Sequence, residues 1–208
     1  MSIISDLIDK QNDVESVARM ALEDATVLSE LLEGIQSSQD FIRYNSFKVI
    51  LLISENHPEI LYPQWALFKK MLDSNNGYFR LIAIQIIANL TKVDTENRFE
   101  KLFDKYFGEL SREKTMTVAH AASNAGKIAK AKLGLQSTIT DKLVNLDRIY
   151  RGKQIDLVKG YTIEAFSQYF NEATVKDKGH ILEFVRQEQT SRSPRTKKIA
   201  LEFLNKWG

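Results

Sequence analysis

Hydrophobic residues recur along this chain at spacings of three and four residues, in block after block, which is the pattern of amphipathic helices. Short polar turns such as Ser74-Asn75-Asn76-Gly77 and Arg151-Gly152 separate the blocks. Only 9 Gly and 3 Pro interrupt the 208 residues, and no useful length of chain alternates apolar and polar residues as a strand would. The pattern predicts an all-α protein in which helices are joined by short turns.

The helical blocks come in pairs, and a small residue recurs once in the second block of each pair. The five positions are 37, 36, 41 and 40 residues apart: Ser46, Ala83, Ala119, Gly160 and Ala200. An apolar residue follows three positions later in each block, on the same helix face. Because a small side chain lets two helix axes approach closely, these residues are expected to be buried. The residues two positions later are expected to point away from the core: Lys48, Gln85, Thr162 and Glu202.

Helix pairs that repeat at this spacing are expected to stack, because one pair alone cannot bury both of its faces. Arg43 and Arg80 lie three residues before the small position, and Lys197 does so in the last block. This arrangement resembles HEAT repeats, the two-helix members of the armadillo-type repeat proteins, which carry a basic residue at that place. Met116 and Leu157 depart from it, so any polar ladder between repeats is expected to be incomplete. The resemblance implies a right-handed α-solenoid of about five stacked antiparallel helix pairs.

The turns divide this single predicted domain, residues 1–208, into an N-terminal cap and five helix pairs. The cap is residues 1–24, and the pairs are 25–57, 58–94, 95–133, 134–173 and 174–208. Such a resemblance specifies a fold and leaves the function to be argued from the site.

The sequence contains no recognisable catalytic or metal-binding motif. There is no cysteine, so disulfides, thiolate zinc sites and cysteine nucleophiles are excluded. His57, His120 and His180 lie in different helix pairs, without the spacing of a metal site, and we expect structural or solvent-facing roles for them. The glycine of Asn124-Ala125-Gly126-Lys127 lies inside a predicted helix, where a phosphate loop cannot form. We therefore expect no metal, no cofactor and no catalytic activity.

A binding surface remains. In HEAT arrays the second helices line a concave face, so the resemblance implies a partner site on them. At 100° per residue, the side opposite the small residue carries the positions two before it and two, five and nine after it. Mixed apolar and polar residues there are typical of a partner site; the alternative is that neighbouring helices or a terminus cover them. The predicted partner-binding residues are Tyr44, Lys48, Leu51, Leu81, Gln85, Lys92, Asn124, Ile128, Val158, Thr162 and Tyr169.

Charge is distributed unevenly although the net charge is only +2. Residues 1–110 carry 11 Lys/Arg against 17 Asp/Glu, whereas residues 111–208 carry 18 against 10. This difference is either ordinary drift in surface charge or a basic half that meets an acidic partner. The C-terminal basic residues alternate with acids and lack interleaved aromatics, which is typical of a solvated face. They are Arg186, Arg192, Arg195, Lys197 and Lys198.

We predict a non-catalytic scaffold or adaptor that binds a protein or peptide, acidic or amphipathic, along the concave surface. One alternative is nucleic-acid binding, because HEAT-like DNA glycosylases hold duplex DNA on basic concave faces. Another is an accessory subunit of an enzyme complex that is inactive alone. The segment from Met1 to Lys10 does not have the pattern of a signal peptide, and no apolar stretch is long enough to span a bilayer. We expect a cytoplasmic protein with no membrane partner.

Overall fold

Helices form the secondary structure throughout residues 13–208, the part of the chain that the computed structural model describes. No strand occurs within that part, so the predicted all-α class is confirmed. The chain divides between Val93 and Asp94 into two compact units. We call residues 13–93 unit 1 and residues 94–208 unit 2. Residues 1–12 of the predicted N-terminal cap lie outside the described residues.

Unit 1 begins with two helices that are capped by aspartates. The Asp13 carboxylate accepts a hydrogen bond from the Ser16 amide, and the Asp24 carboxylate accepts one from the Thr26 amide. Asn76 caps a later helix in the same way, through the amide of Tyr78. The helices of unit 1 are α1 (Val14–Glu23), α2 (Ala25–Gly34), α3 (Asp40–Asn56), α4 (Pro58–Leu61), α5 (Trp65–Leu72) and α6 (Gly77–Leu90), with short 3-10 turns at Tyr62–Gln64 and Thr91–Val93.

The long helices α3 and α6 of unit 1 pack side by side and run in the same direction. The guanidinium of Arg43 lies 4.9 Å from the centre of the Tyr78 ring near the start of both helices. Towards their ends, Asn89 Nδ2 donates a hydrogen bond to Ser54 Oγ at 2.7 Å. Both contacts join residues 35 positions apart, which requires parallel helices in constant register. The first helices α2 and α5 precede them across short turns, as in antiparallel helix pairs.

Arg43 and Arg80 have equivalent structural roles in the two second helices of unit 1. Both side chains are buried, and each Nη1 donates a hydrogen bond to a backbone carbonyl six residues earlier. The acceptors are Ser37 O, at 2.8 Å, and Ser74 O, at 2.6 Å. Each arginine thus ties its helix to the turn that precedes it.

Unit 2 contains three helix pairs. Its helices are α7 (Phe103–Gly108), α8 (Thr115–Ala131), α9 (Gln136–Val144), α10 (Leu146–Ile149), α11 (Ile155–Tyr169), α12 (Val175–Gln187) and α13 (Pro194–Trp207). Short 3-10 turns lie at Glu100–Leu102, Glu109–Ser111, Leu133–Leu135, Phe170–Glu172 and Glu188–Thr190. The helices α8, α11 and α13 are the second helices of their pairs.

These three second helices also run parallel, and their close packing depends on small residues. A Cβ on Gly126 of α8 would lie 2.5 Å from the carbonyl oxygen of Ala165 in α11. Thr196 at the start of α13 donates a hydrogen bond from Oγ1 to Asp156 O at 2.6 Å, near the start of α11. At the other end, the Phe170 ring packs 5.1 Å from the Phe203 ring. The seam between neighbouring second helices therefore leaves little room for larger side chains.

The small-residue column predicted from sequence is confirmed. Ser46, Ala83, Ala119, Gly160 and Ala200 are all buried. Of the residues two positions later, Glu202 is exposed, as predicted, and Lys48 and Gln85 are half-buried. Thr162 is fully buried, so its predicted exposure is wrong.

Candidate functional site

The predicted partner-binding residues of unit 1 lie at its surface. Tyr44 and Lys92 are exposed. Lys48, Leu51, Leu81 and Gln85 are half-buried. In α3 and α6, therefore, the arc opposite the small residue does face solvent over most of its length.

The predicted partner-binding residues of unit 2 are buried, and the expectation that they face solvent is wrong. These residues are Asn124, Ile128, Val158, Thr162 and Tyr169. Several of them are held by internal hydrogen bonds. Tyr169 Oη lies 2.8 Å from Thr140 Oγ1, and burial raises the pKa of this phenol above its ordinary value. The hydroxyl of Thr162 donates to Val158 O within its own helix.

The physical reason is that the small residues of unit 2 mark the seam between neighbouring second helices. Gly160 lies against Thr196 and Arg195 of α13, and Gly126 lies against Ala165 of α11. Each second helix of unit 2 packs against a neighbouring second helix at this seam and also against the first helix of its own pair. Its buried arc is therefore not centred on the small residue. The partly exposed stripe of α8 and α11 is consequently rotated by about 100°, the angle of one residue. It contains His120, Ser123, Lys127, Tyr161, Glu164 and Gln168.

Unit 1 has an apolar groove between the starts of α3 and α6, which we call the tyrosine groove. Its volume is about 350 Å³. Two tyrosines border it, with Tyr44 61% exposed and Tyr78 62% exposed. Phe41, one turn before Tyr44, is exposed as well. The groove is lined by Asp40, Arg43, Tyr44, Phe47, Tyr78, Leu81 and Ile82.

Fixed charges hold the rims of the tyrosine groove in place. Arg43 is buried, stacks on the Tyr78 ring, and donates hydrogen bonds to Ser37 O and the Asp40 carboxylate. On the other rim, the Lys48 ammonium lies 5.0 Å from the centre of the Tyr44 ring. Each exposed tyrosine therefore has one face against a cation, which restricts its ring before any partner arrives.

Tyr44 and Leu81 of this groove were predicted from the sequence, whereas Tyr78 and Phe47 were not, nor was the exposed Phe41. Tyr78 is the second residue of α6, which begins at Gly77 directly after the cap residue Asn76. The first turn of a helix has no preceding turn to cover it, so an aromatic residue there tends to be exposed. That signal, the same in Phe41 at the start of α3, was available in the sequence.

His120 is half-buried in the partly exposed stripe of unit 2. Its ring centre lies 6.4 Å from that of Tyr161, and the Arg195 guanidinium covers the Tyr161 ring at 4.1 Å. Arg195 also pairs with Glu164. Burial disfavours the charged imidazolium and lowers the pKa of His120 below its ordinary value. Among residues 13–208, no group of three or more His, Cys, Asp or Glu side chains is arranged to hold a metal ion.

Comparisons with known proteins identify the fold. The chain is similar to a designed armadillo repeat protein, with a TM-score of 0.64 and 16% sequence identity over 100% of this chain and 91% of that chain. It is also similar to an engineered protein solved by the Northeast Structural Genomics Consortium, with a TM-score of 0.60 and 16% identity over 100% and 98% of the two chains. No protein-family model and no curated protein matches the sequence. The chain therefore has an armadillo/HEAT-type helical-repeat fold.

No helix within residues 13–208 is both long enough and apolar enough to cross a bilayer.

Proposed function

Starting from the armadillo-type repeat fold, we propose that this protein is a non-catalytic scaffold that binds a peptide segment of a partner protein in the tyrosine groove of unit 1. The observation that carries the proposal is the pair of exposed, cation-stacked tyrosines, Tyr44 and Tyr78, on either side of an apolar groove.

Tyrosine is well suited to this role. Its ring supplies a large contact area, and it has only two side-chain torsions to restrict on binding. Energetically dominant residues of interfaces are enriched in Tyr, Trp and Arg, and they lie at pockets from which water is excluded. The groove between Phe47 and Leu81 offers such a pocket for an apolar or aromatic side chain of the partner.

Charge argues against a strongly acidic partner at this groove. Residues 13–93 carry 7 Lys/Arg against 10 Asp/Glu, so an acidic peptide would be repelled by the net charge of unit 1. Asp40 lines the groove with most of its carboxylate in solvent, and Arg43 and Lys48 offset that charge. We therefore expect a peptide with an apolar anchor and little net charge.

The test is selection of peptides from a displayed random library on the immobilised full-length protein, followed by calorimetric titration of the enriched peptides. Tyr44→Ala/Tyr78→Ala is the test variant. Leu133→Ala/Val175→Ala, two apolar residues of unit 2 that are 66% and 90% exposed, is the matched control. We expect affinity to fall about 30-fold in the test variant, since two such residues contribute roughly 1 kcal/mol or more each, and to remain unchanged in the control.

Both pairs of residues are exposed, so we expect each substitution to change stability by at most about 1 kcal/mol, the scale of an exposed cation–π contact. Enriched peptides that bind the test variant as tightly as the wild-type protein would place the binding site elsewhere. Failure of any peptide to be enriched would refute peptide binding altogether.

A further inference from the structure

The turns that lead into the three second helices of unit 2 each carry a pair of basic residues. Arg112 and Lys114 precede α8, Arg151 and Lys153 precede α11, and Arg192 and Arg195 lie at the start of α13. All six are exposed except Arg195, which is half-buried. The equivalent turns of unit 1, Ser37–Gln39 and Asp73–Asn76, contain no basic residue.

The fold of unit 2 brings these three turns together, although they are about 40 residues apart in sequence. Thr115 Oγ1 lies 3.0 Å from Tyr150 Oη, which joins the first turn to the second. A Cβ on Gly152 would lie 2.5 Å from Glu113 O, so the glycine permits this close approach. The hydrogen bond from Thr196 to Asp156 O joins the start of α11 to the start of α13.

The result is a continuous basic row along one edge of unit 2, which we call the basic edge: residues 112–114, 151–156 and 192–198. These segments contain eight Lys/Arg and two Asp/Glu, a net charge of +6. Unit 2 as a whole has 21 Lys/Arg and 15 Asp/Glu, which is also a net charge of +6. The excess positive charge of the unit is thus concentrated at this edge.

We propose that the basic edge binds the phosphate backbone of a nucleic-acid duplex, a function separate from peptide binding in unit 1. Neighbouring helix axes lie about 8–10 Å apart, so three adjacent turns span about 20 Å. A duplex presents one phosphate per strand every 3.4 Å or so, which places about six phosphates of a strand along this length. Lys and Arg side chains on flexible stems reach such a row without needing a base sequence.

Other partners fit the basic edge less well. A protein interface needs an apolar centre, and interface centres are depleted of lysine. Of the large exposed apolar residues of unit 2, only Met116 lies in the first turn of one of the three helices. Single-stranded nucleic acid is bound by exposed aromatic rings on which bases stack, whereas Tyr150, the aromatic residue of these turns, is buried.

The experiment measures binding of the full-length protein to a fluorescein-labelled 20-base-pair DNA by fluorescence anisotropy between 50 and 200 mM NaCl. For six phosphate contacts, the slope of log affinity against log salt is expected to be about −5, and affinity is expected to fall roughly 1,000-fold over this range. The test variant is Arg151→Gln/Lys153→Gln/Arg192→Gln. It spares Arg112 and Arg195, which pair with Glu109 and Glu164.

The control variant is Lys101→Gln/Lys130→Gln/Lys176→Gln, which removes the same charge from three exposed residues. Lys101 and Lys176 lie where first helices start and Lys130 lies where α8 ends, so all three are away from the basic edge. We expect the test variant to bind roughly 100-fold more weakly at 100 mM salt, with a slope near −3, and the control to keep the wild-type slope. Equal loss in both variants, or no wild-type binding at 50 mM salt, overturns the proposal. The proposal is also overturned if poly-glutamate displaces the labelled duplex as effectively per charge as unlabelled duplex does. Tighter binding of a single strand than of the duplex would overturn it as well.

Discussion

The close approach of α8 and α11 can be tested at Gly126, which lies in the interior of α8. Replacing an interior helical glycine by alanine ordinarily stabilises a helix by about 1 kcal/mol, because glycine has the larger conformational entropy when unfolded. Here the new Cβ would lie 2.5 Å from Ala165 O and 2.8 Å from Ala165 Cα, and both atoms belong to the backbone of α11.

A carbon atom and a carbonyl oxygen are in ordinary contact at about 3.3 Å or more, so α11 must move by nearly 1 Å to admit the methyl group. Overpacking of this kind costs about 1–3 kcal/mol. The steric effect is larger than the gain in helix propensity. We therefore expect Gly126→Ala to destabilise unit 2 by about 1–2 kcal/mol.

Gly179→Ala is a matched control in the same unit. Gly179 lies within α12, is exposed, and a Cβ there would meet nothing within 4 Å. This substitution is expected to stabilise the protein by about 0.4–1 kcal/mol. The opposite signs of the two glycine substitutions distinguish a steric effect from a general effect of removing glycine.

Urea unfolding of a Trp65→Phe background would measure both effects, because Trp207 then reports on unit 2 alone. Adding Gln168→Ala to Gly126→Ala removes the third close contact, 2.8 Å to Gln168 Cδ, and is expected to leave most of the loss. If Gly126→Ala stabilises the protein as much as Gly179→Ala does, the helices are not packed as closely as described. Full rescue by Gln168→Ala would show that a flexible side chain, and not the backbone of α11, is the obstacle.

Two further predictions concern the end of the chain and pH. Truncation after Lys198 removes Phe203 and Trp207, which pack on Phe170. We expect the lost burial to lower stability by several kcal/mol, at about 25 cal/mol per Å² of apolar surface, and to promote aggregation. An unchanged melting midpoint with a monodisperse sample would contradict a capping role for α13. Because burial lowers the pKa of His120, the unfolded chain takes up a proton on this residue near pH 6.5, before the folded protein does. Folding stability that is present above pH 6.5 is therefore lost as the pH falls below it. Urea midpoints at pH 7.5 and 5.5 should differ less in His120→Gln than in the wild-type protein, and an equal difference would refute the assignment.

Local sequence determined which residues form helices and which side of each helix is broadly apolar. The spacing of apolar residues, the turns, and the cap residues Asp13, Asp24 and Asn76 all act within about one helical turn. The burial of Ala83 and Gly160 was predictable for the same reason, because a small residue recurring in each second helix needs close packing to be useful. In α3 and α6, the same local pattern also predicted Tyr44 and Leu81 of the tyrosine groove.

Tertiary structure decided which arc of each helix remains exposed. Val158 and Tyr161 are three residues apart on one helix, yet only Tyr161 reaches the surface, because α8 and α13 cover the two sides of α11 unequally. The spacing of apolar residues along a helix is a property of that segment alone. Which face of the helix is buried depends on neighbouring helices about 40 residues away in sequence. The basic edge has the same origin, since Arg112, Arg151 and Arg192 become neighbours only when parallel second helices align their starts.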